Sequence, residues 1–125
     1  MKITRFEEIE SWKEARELTK AVYSLTSRPK FARNFGLRDQ MQRASVSIMS
    51  NIAEGFDAGS NKAFVSFLHY SYRSTSEVQS LLYVALDSEY MNQEDFRHFF
   101  DQTTKTKGLI GGFIKYLRSY HKQEH

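Results

Sequence analysis

The sequence predicts an all-α fold, arranged as an antiparallel up-down-up-down four-helix bundle. Apolar residues recur three and four positions apart rather than at every second position, and the only proline, Pro29, lies between two such segments. The 125 residues, 40% of them hydrophobic, are enough for one domain with its own core, which we place at residues 1–125. Short connections make successive helices antiparallel, which predicts the bundle.

The first two predicted helices lie on either side of Pro29. The first spans about residues 9–27 and ends before Pro29, because proline lacks the backbone N–H that a continuing helix needs. Its apolar face consists of Trp12, Ala15, Leu18, Val22 and Leu25. The second helix follows a short loop and spans about residues 35–57, with Asn34 as its N-cap.

The third and fourth predicted helices fill the rest of the chain. The third spans about residues 61–88, and either Ser60 or Asn61 is its N-cap. The fourth spans about residues 93–121 and begins at Asn92 with a sequence that resembles a capping box.

Composition and motifs exclude several classes of function. The chain has no cysteine, which excludes disulfides and thiolate chemistry. It has no apolar stretch of the length that a signal peptide or a membrane span needs, so we expect a cytoplasmic protein with no membrane partner. Metalloprotease and phosphate-loop motifs are absent, and Asp95-x-x-His98 is the nearest approach to metal-ligand spacing. We therefore predict no enzyme, no catalytic residue, no metal site and no cofactor.

Polar residues interrupt the apolar faces near the middle of the predicted bundle. Ser74 falls where a core leucine is expected, and the antiparallel register places Arg43 level with it and within a turn of Glu77. Because an unpaired buried charge is costly, we expect Arg43 and Lys107 to be compensated by Glu77 and hydroxyl groups, or to face a cavity or a second subunit. The predicted structural polar layer or subunit interface comprises Thr19, Arg43, Ser47, Asn51, Glu54, Ser74, Glu77 and Lys107.

Asn51 and Glu54 extend this polar stripe along the second predicted helix. One interpretation is that they satisfy backbone groups inside one protomer. The other is that they contact a second subunit or a ligand, since the small residues Ala53 and Gly55 leave room for a close approach.

Basic residues are concentrated in two segments, although the net charge is only +3. The candidate nucleic-acid contacts are Arg28, Lys30, Arg33, Arg38, Lys115, Arg118 and Lys122. Solvated helix faces would give the same pattern. The two groups are predicted at opposite ends of the bundle, so only a ring of subunits would join several of them.

One segment resembles a known family. Residues 43–56, RASVSIMSNIAEGF, are similar to the signature of the bacterial four-helix-bundle family first named for proteins encoded in intervening sequences of the large-subunit rRNA genes. FEEIESWKEARELT, FGLRDQMQRA and the long segment from Lys62 to Tyr90 extend the similarity over almost the whole chain. Met49 and Arg73 depart from the family pattern, which usually has proline and glycine there.

The resemblance implies a left-handed four-helix bundle that assembles into a homopentameric ring. The architecture is similar to that of the accessory variability proteins of diversity-generating retroelements, which associate with a reverse transcriptase and with nucleic acid. The function predicted is therefore a non-enzymatic oligomeric assembly or adaptor protein, whose partners are copies of itself. The alternative is an RNA-binding accessory protein that acts through basic patches on a pentameric ring, with nucleic acid or a reverse-transcriptase-like protein as partner.

Tyrosines outside the predicted core favour the assembly interpretation. Tyr23, Tyr72, Tyr83 and Tyr116 fall off the apolar faces or at their edges. Tyrosine is enriched at protein interfaces, where its ring is covered and its hydroxyl stays near water.

Overall fold

The computed structural model describes residues 2–123 and the side chains of residues 2–120, and over this range the regular structure is entirely helical. A 3-10 turn, Phe6–Glu8, precedes the first α-helix. The helices are α1 (Glu10–Thr26), α2 (Pro29–Ala32), α3 (Phe35–Phe56), α4 (Asn61–Asp87) and α5 (Gln93–Gln123). The all-α prediction is confirmed, and the four long helices lie within two residues of their predicted bounds.

The short helix α2 was not predicted, because the segment after α1 was expected to be only a loop. Arg28 is extended, and Pro29 occupies the first helical turn, where its fixed φ fits and its missing N–H costs nothing. The turn buries Phe31 completely, with its ring centroid 4.9 Å from that of Tyr90. Pro29 thus ends α1 and also begins a helical turn that packs on the core.

Side-chain caps mark the beginnings of α3, α4 and α5. The side-chain oxygens of Asn34, Ser60 and Asn92 each accept from the backbone N–H three residues further on, at 2.8–3.1 Å. The N-cap of α4 is therefore Ser60, and Asn61 is the first helical residue. These bonds satisfy amide groups that a helix start otherwise leaves unpaired.

The long helices pack in a consistent order. α3 packs against α1 and α4, and α5 packs against α4 and α1. Across α3 and α4, Gln40 reaches Glu77 and Ser47 reaches Ser74, so residue numbers fall along one helix as they rise along the other. The hydrogen bonds between α1 and α3 and between α4 and α5 follow the same inverse order.

Candidate functional site

The middle of the core carries fully buried hydroxyl groups. Ser71 and Thr75 on α4 and Thr103 and Thr106 on α5 are each 0% exposed. Each hydroxyl donates to a backbone carbonyl, and the bond from Ser71 crosses to Ile48 on α3 at 2.7 Å. The interrupted core predicted for α4 is therefore present, and the hydroxyls are satisfied inside the bundle.

The α5 members of this layer were missed at the sequence level. Thr103 and Thr106 lie on the same helical face as the buried Ile110, Ile114 and Leu117. That spacing could have identified them, because both threonines continue the apolar face toward the start of α5.

Three residues of the predicted polar stripe meet at the seam between α3 and α4. The hydroxyls of Ser47 and Ser74 lie 2.9 Å apart. The Asn51 amide donates to the Ser47 carbonyl at 2.9 Å and to its hydroxyl at 3.0 Å. Asn51 therefore uses its N–H groups within one protomer.

Arg43 and Glu77 are placed differently from the expectation. Both side chains are exposed, and the two do not form an ion pair with each other. The Glu77 carboxylate instead accepts from the Gln40 amide at 3.4 Å. The expected compensation of Arg43 by Glu77 within the protomer is thus corrected, because Arg43 projects toward solvent, where its charge costs least.

Arg43 lines an open groove of about 530 Å³ between α1 and α3, which we call the Arg43 groove. The residues that line it are Tyr23, Asp39, Gln42, Arg43, Val46 and Ser47. Tyr23 and Val46 are 43% and 37% exposed. Asp39 is bound by Arg38 at 3.0 Å, and among the described residues Arg43 has no carboxylate within ion-pair distance.

Thr19 lies between α1 and α3, and Lys107 lies between α4 and α5. The predicted polar residues therefore do not form one layer across the bundle. The Thr19 hydroxyl is directed at the carbonyls of Ala15, at 2.8 Å, and of Ser45 on α3, at 3.2 Å. The Lys107 ammonium donates to the Ser76 hydroxyl at 3.0 Å and lies 5.0 Å from the ring centroid of Tyr72. The hydroxyl compensation expected for Lys107 is present, but Ser76 supplies it.

Glu54 and Gly55 are neighbours near the end of α3 that differ in burial. Glu54 is exposed and forms no hydrogen bond or ion pair within the described part of the chain. Gly55 is buried, and a Cβ atom there would lie 2.7 Å from the Phe67 Cβ and 2.8 Å from the Phe64 ring. Gly55 therefore allows α4 to approach α3 more closely than any other residue would.

Ion pairs reduce the charge of two basic residues predicted to contact nucleic acid. The Arg28 guanidinium binds the Asp95 carboxylate at 2.9 Å. Arg38 binds the Asp39 carboxylate at 3.0 Å and also the Ala32 carbonyl at 3.2 Å. Asp95 is thus engaged in a surface ion pair.

An exposed aromatic residue lies among the other cations at this end of the bundle. Phe35 is 64% exposed, and the Arg38 guanidinium carbon lies 4.9 Å from its ring centroid. Lys30 and Arg33 are exposed and form no ion pair within the described residues. We call Lys30, Arg33, Phe35 and Arg38 the Phe35 patch.

The second group of basic residues, on α5, lies at the end of the bundle opposite the Phe35 patch, where the sequence predicts it. Arg118 donates to His69 Nε2 at 2.9 Å, and Lys115 is exposed nearby on α5. The side chain of Lys122 lies outside the described residues. Asp95, the partner of Arg28, and Arg118 are separated along α5 by about 35 Å at 1.5 Å per residue.

Two kinds of feature are absent from the part of the chain that the structure describes. Over this range, no group of three or more His, Cys, Asp or Glu side chains is placed to hold a metal ion. No helix there combines the length and the apolar character that crossing a bilayer requires.

The fold and its geometry define an all-helical bundle with polar seams. Residues 7–112 match the sequence model of the family described as 23S rRNA-intervening sequence protein, and the chain belongs to this family. The resemblance stated from the sequence is thereby confirmed. No curated protein matches the chain significantly.

A solved structure shares the fold. It is the 1.70 Å crystal structure of a protein with unknown function from the S23 ribosomal protein family of Bacteroides thetaiotaomicron VPI-5482. The two chains are 21% identical with a TM-score of 0.77, and the match covers 84% of this chain and 98% of the other. At this identity the similarity establishes the fold alone.

Proposed function

We propose that this protein is a non-enzymatic assembly protein that works as a homo-oligomer, with a pentameric ring as its expected form. Its protomer is proposed to be a left-handed, up-down-up-down four-helix bundle, and the inverse order of the helix contacts supports that topology. The observation that carries the proposal is Arg43, a cation without a carboxylate partner among the described residues, which lines an open groove between Tyr23 and Val46.

The exposure of the tyrosines supports a surface that other subunits cover. Tyr23, Tyr72, Tyr83 and Tyr116 are between 36% and 52% exposed. A tyrosine contributes a large apolar ring to an interface while its hydroxyl remains hydrated at the rim.

A ring closes through two different patches, one on each side of every subunit. The Arg43 groove is one of them in this proposal, and the outward face of α4 is the other. Tyr70, Glu77 and Val84 follow one another at intervals of seven residues, and each is exposed. We call these three residues the Glu77 face.

The two patches are complementary in charge and in apolar character. In the groove, Arg43 is flanked by Tyr23 and Val46, while the Asp39 carboxylate of the lining is engaged by Arg38. On the Glu77 face, the carboxylate lies between Tyr70, whose ring centroid is 5.1 Å from the Arg73 guanidinium carbon, and Val84. The second copy is therefore proposed to place Glu77 against Arg43. Such a pair would restore across the subunit boundary the compensation that the protomer does not supply.

A charge exchange tests this contact. We expect Arg43→Glu and Glu77→Arg each to lower the mass of the assembly measured by light scattering after size exclusion, and the double variant to restore it. Arg97→Glu is the matched control, because Arg97 is an exposed cation on α5 outside both patches. Single variants that keep the wild-type mass would contradict the proposed contact.

The Phe35 patch favours a second candidate function, the binding of single-stranded nucleic acid. An exposed aromatic ring among cations can stack a base while the cations neutralise neighbouring phosphates. Phe35 is the most exposed large hydrophobic residue of the described chain, and Lys30 and Arg33, five and two residues before it in the sequence, have no ion pair among the described residues. In a ring, several copies of this patch would lie on the same side of the assembly.

A further inference from the structure

A cavity of about 560 Å³ lies between the beginning of α4 and the last turns of α5, at the end of the bundle opposite the Phe35 patch. We call it the His69 cavity. It is lined by Asn61, Lys62, Val65, Ser66, His69, Leu117 and Arg118. Among the described residues, the lining includes two basic side chains, Lys62 and Arg118, and no carboxylate.

The polar groups of the cavity come from two helices that face each other. Lys62, Ser66 and His69 are spaced four and three residues apart on α4, so they share one helical face. Arg118 projects from α5 toward the same space. Val65 and the buried Leu117 supply the apolar part of the lining.

The contact between Arg118 and His69 determines the roles of both side chains. Arg118 Nη2 and His69 Nε2 are 2.9 Å apart. A guanidinium only donates, so His69 Nε2 is the acceptor in this contact. The bond uses one N–H of Arg118, and its other N–H groups have no hydrogen-bond or ion-pair partner among the described residues.

We propose that the His69 cavity binds a phosphate group. Lys62 and Arg118 would supply the charge, and His69 would act as a positioning residue for Arg118. The Asn61 amide would donate a further hydrogen bond, and the Ser66 hydroxyl, which donates to the Lys62 carbonyl at 3.4 Å, would turn to donate to the phosphate. Arginine matches the oxygens of a phosphate with a planar set of donors, and lysine adds a compact charge. The phosphate is either a free ion or the terminal phosphate of a nucleic acid, and both have the same chemistry.

This proposal does not depend on the proposed assembly. The cavity shares no lining residue with the Arg43 groove or with the Glu77 face. A failure of phosphate binding would leave the mass of the oligomer unchanged, and a monomer could still bind phosphate. The two proposals can therefore fail separately.

Nuclear magnetic resonance of the histidine rings tests the site directly. The protein is titrated with inorganic phosphate and, in parallel, with one oligonucleotide that either carries or lacks a 5′-phosphate. We expect a saturable shift of the His69 ring resonances, while those of His98, exposed at the other end of α5, stay in place. A response to inorganic phosphate identifies the free ion as a ligand, and a response only to the 5′-phosphate identifies a nucleic-acid end.

Matched variants separate a built site from a general positive field. We expect Arg118→Gln and Lys62→Gln each to weaken phosphate binding by about tenfold or more, because each removes a charged hydrogen bond. Lys115→Gln removes the same charge from α5 outside the lining and should change the affinity less than about twofold. All three side chains are exposed, so folding, checked by circular dichroism, should be unaffected.

Two results would overturn the proposal. One is the absence of a saturable His69 shift at phosphate concentrations up to about 10 mM, where even weak sites are occupied, together with no response to the 5′-phosphorylated oligonucleotide. The other is an equal loss of affinity in Lys115→Gln and Arg118→Gln, which would show diffuse attraction instead of a site.

Discussion

The hydroxyl oxygens of Ser47 and Ser74 lie 2.9 Å apart across the seam between α3 and α4. One turn away, the buried Ser71 hydroxyl reaches the Ile48 carbonyl at 2.7 Å, and toward the end of α3 the seam closes on Gly55. Small residues allow these helices to approach, and their hydroxyls join them by hydrogen bonds. The polar character of this seam is therefore part of what holds the protomer together.

Replacing Gly55 by alanine tests the close approach. We expect Gly55→Ala to lower the free energy of unfolding by about 1–3 kcal/mol, because the added methyl group would overlap Phe64 and Phe67. Urea denaturation measures the change. As a control, Gly112→Ala on α5 should raise stability by about 0.5–1 kcal/mol, since a Cβ there meets no atom within 4 Å. Equal losses in both variants would contradict the packing described.

Replacing Ser71 by alanine tests whether the buried hydroxyl layer stabilises the protein. We expect Ser71→Ala to lower the free energy of unfolding by about 1 kcal/mol, because it removes a buried hydrogen bond between α4 and α3. Ser80→Ala, an exposed change on the same helix, should stay within about 0.5 kcal/mol of the wild type. Thermal or urea unfolding of the two variants compares them, and a neutral Ser71→Ala would show that the layer adds no stability.

The contact between the Thr4 amide and the Glu8 carboxylate is expected to depend on pH. The backbone amide of Thr4 donates to the Glu8 carboxylate at 2.8 Å, and this bond lowers the pKa of Glu8 from the usual 4.5. The contact therefore contributes fully at pH values above 4.5 and is lost as the pH falls through the lowered pKa of the folded protein. The Thr4 amide proton shift should report this titration, and its pH dependence should vanish in Glu8→Gln. A midpoint above 4.5 would contradict the assignment.

The Phe35 patch predicts salt-dependent RNA binding that needs both its ring and its cations. We expect fluorescence anisotropy with a single-stranded RNA to show affinity that falls steeply with salt and is lost in a double Arg33→Glu, Arg38→Glu variant. Phe35→Ala should weaken binding by about tenfold through lost stacking, whereas Tyr83→Ala, an exposed aromatic elsewhere, should not. Absent or salt-insensitive binding would remove this candidate function.

Local rules account for what the sequence predicted well. Asn34 and Asn92 begin helices because their side chains accept from amide groups three residues on, which spacing alone reveals. The expected levels along α3 and α4 were also close to those observed, since Gln40 meets Glu77 and Ser47 meets Ser74.

The direction in which a side chain points around its helix was harder to predict than its position along the helix axis. Arg43 lies at about the expected height, but its side chain turns toward α1 and solvent instead of Glu77. Desolvation opposes burying a guanidinium, and a long side chain has the freedom to avoid it. The bond between Arg118 and His69 joins residues 49 positions apart, so no local pattern could reveal it.

The mass of the purified wild-type protein, measured by light scattering across a range of concentrations, tests the central proposal most directly. Self-assembly through the Arg43 groove and the Glu77 face predicts a stable mass of about five times the 14.7 kDa chain at micromolar concentration. A mass equal to one chain at that concentration would contradict it.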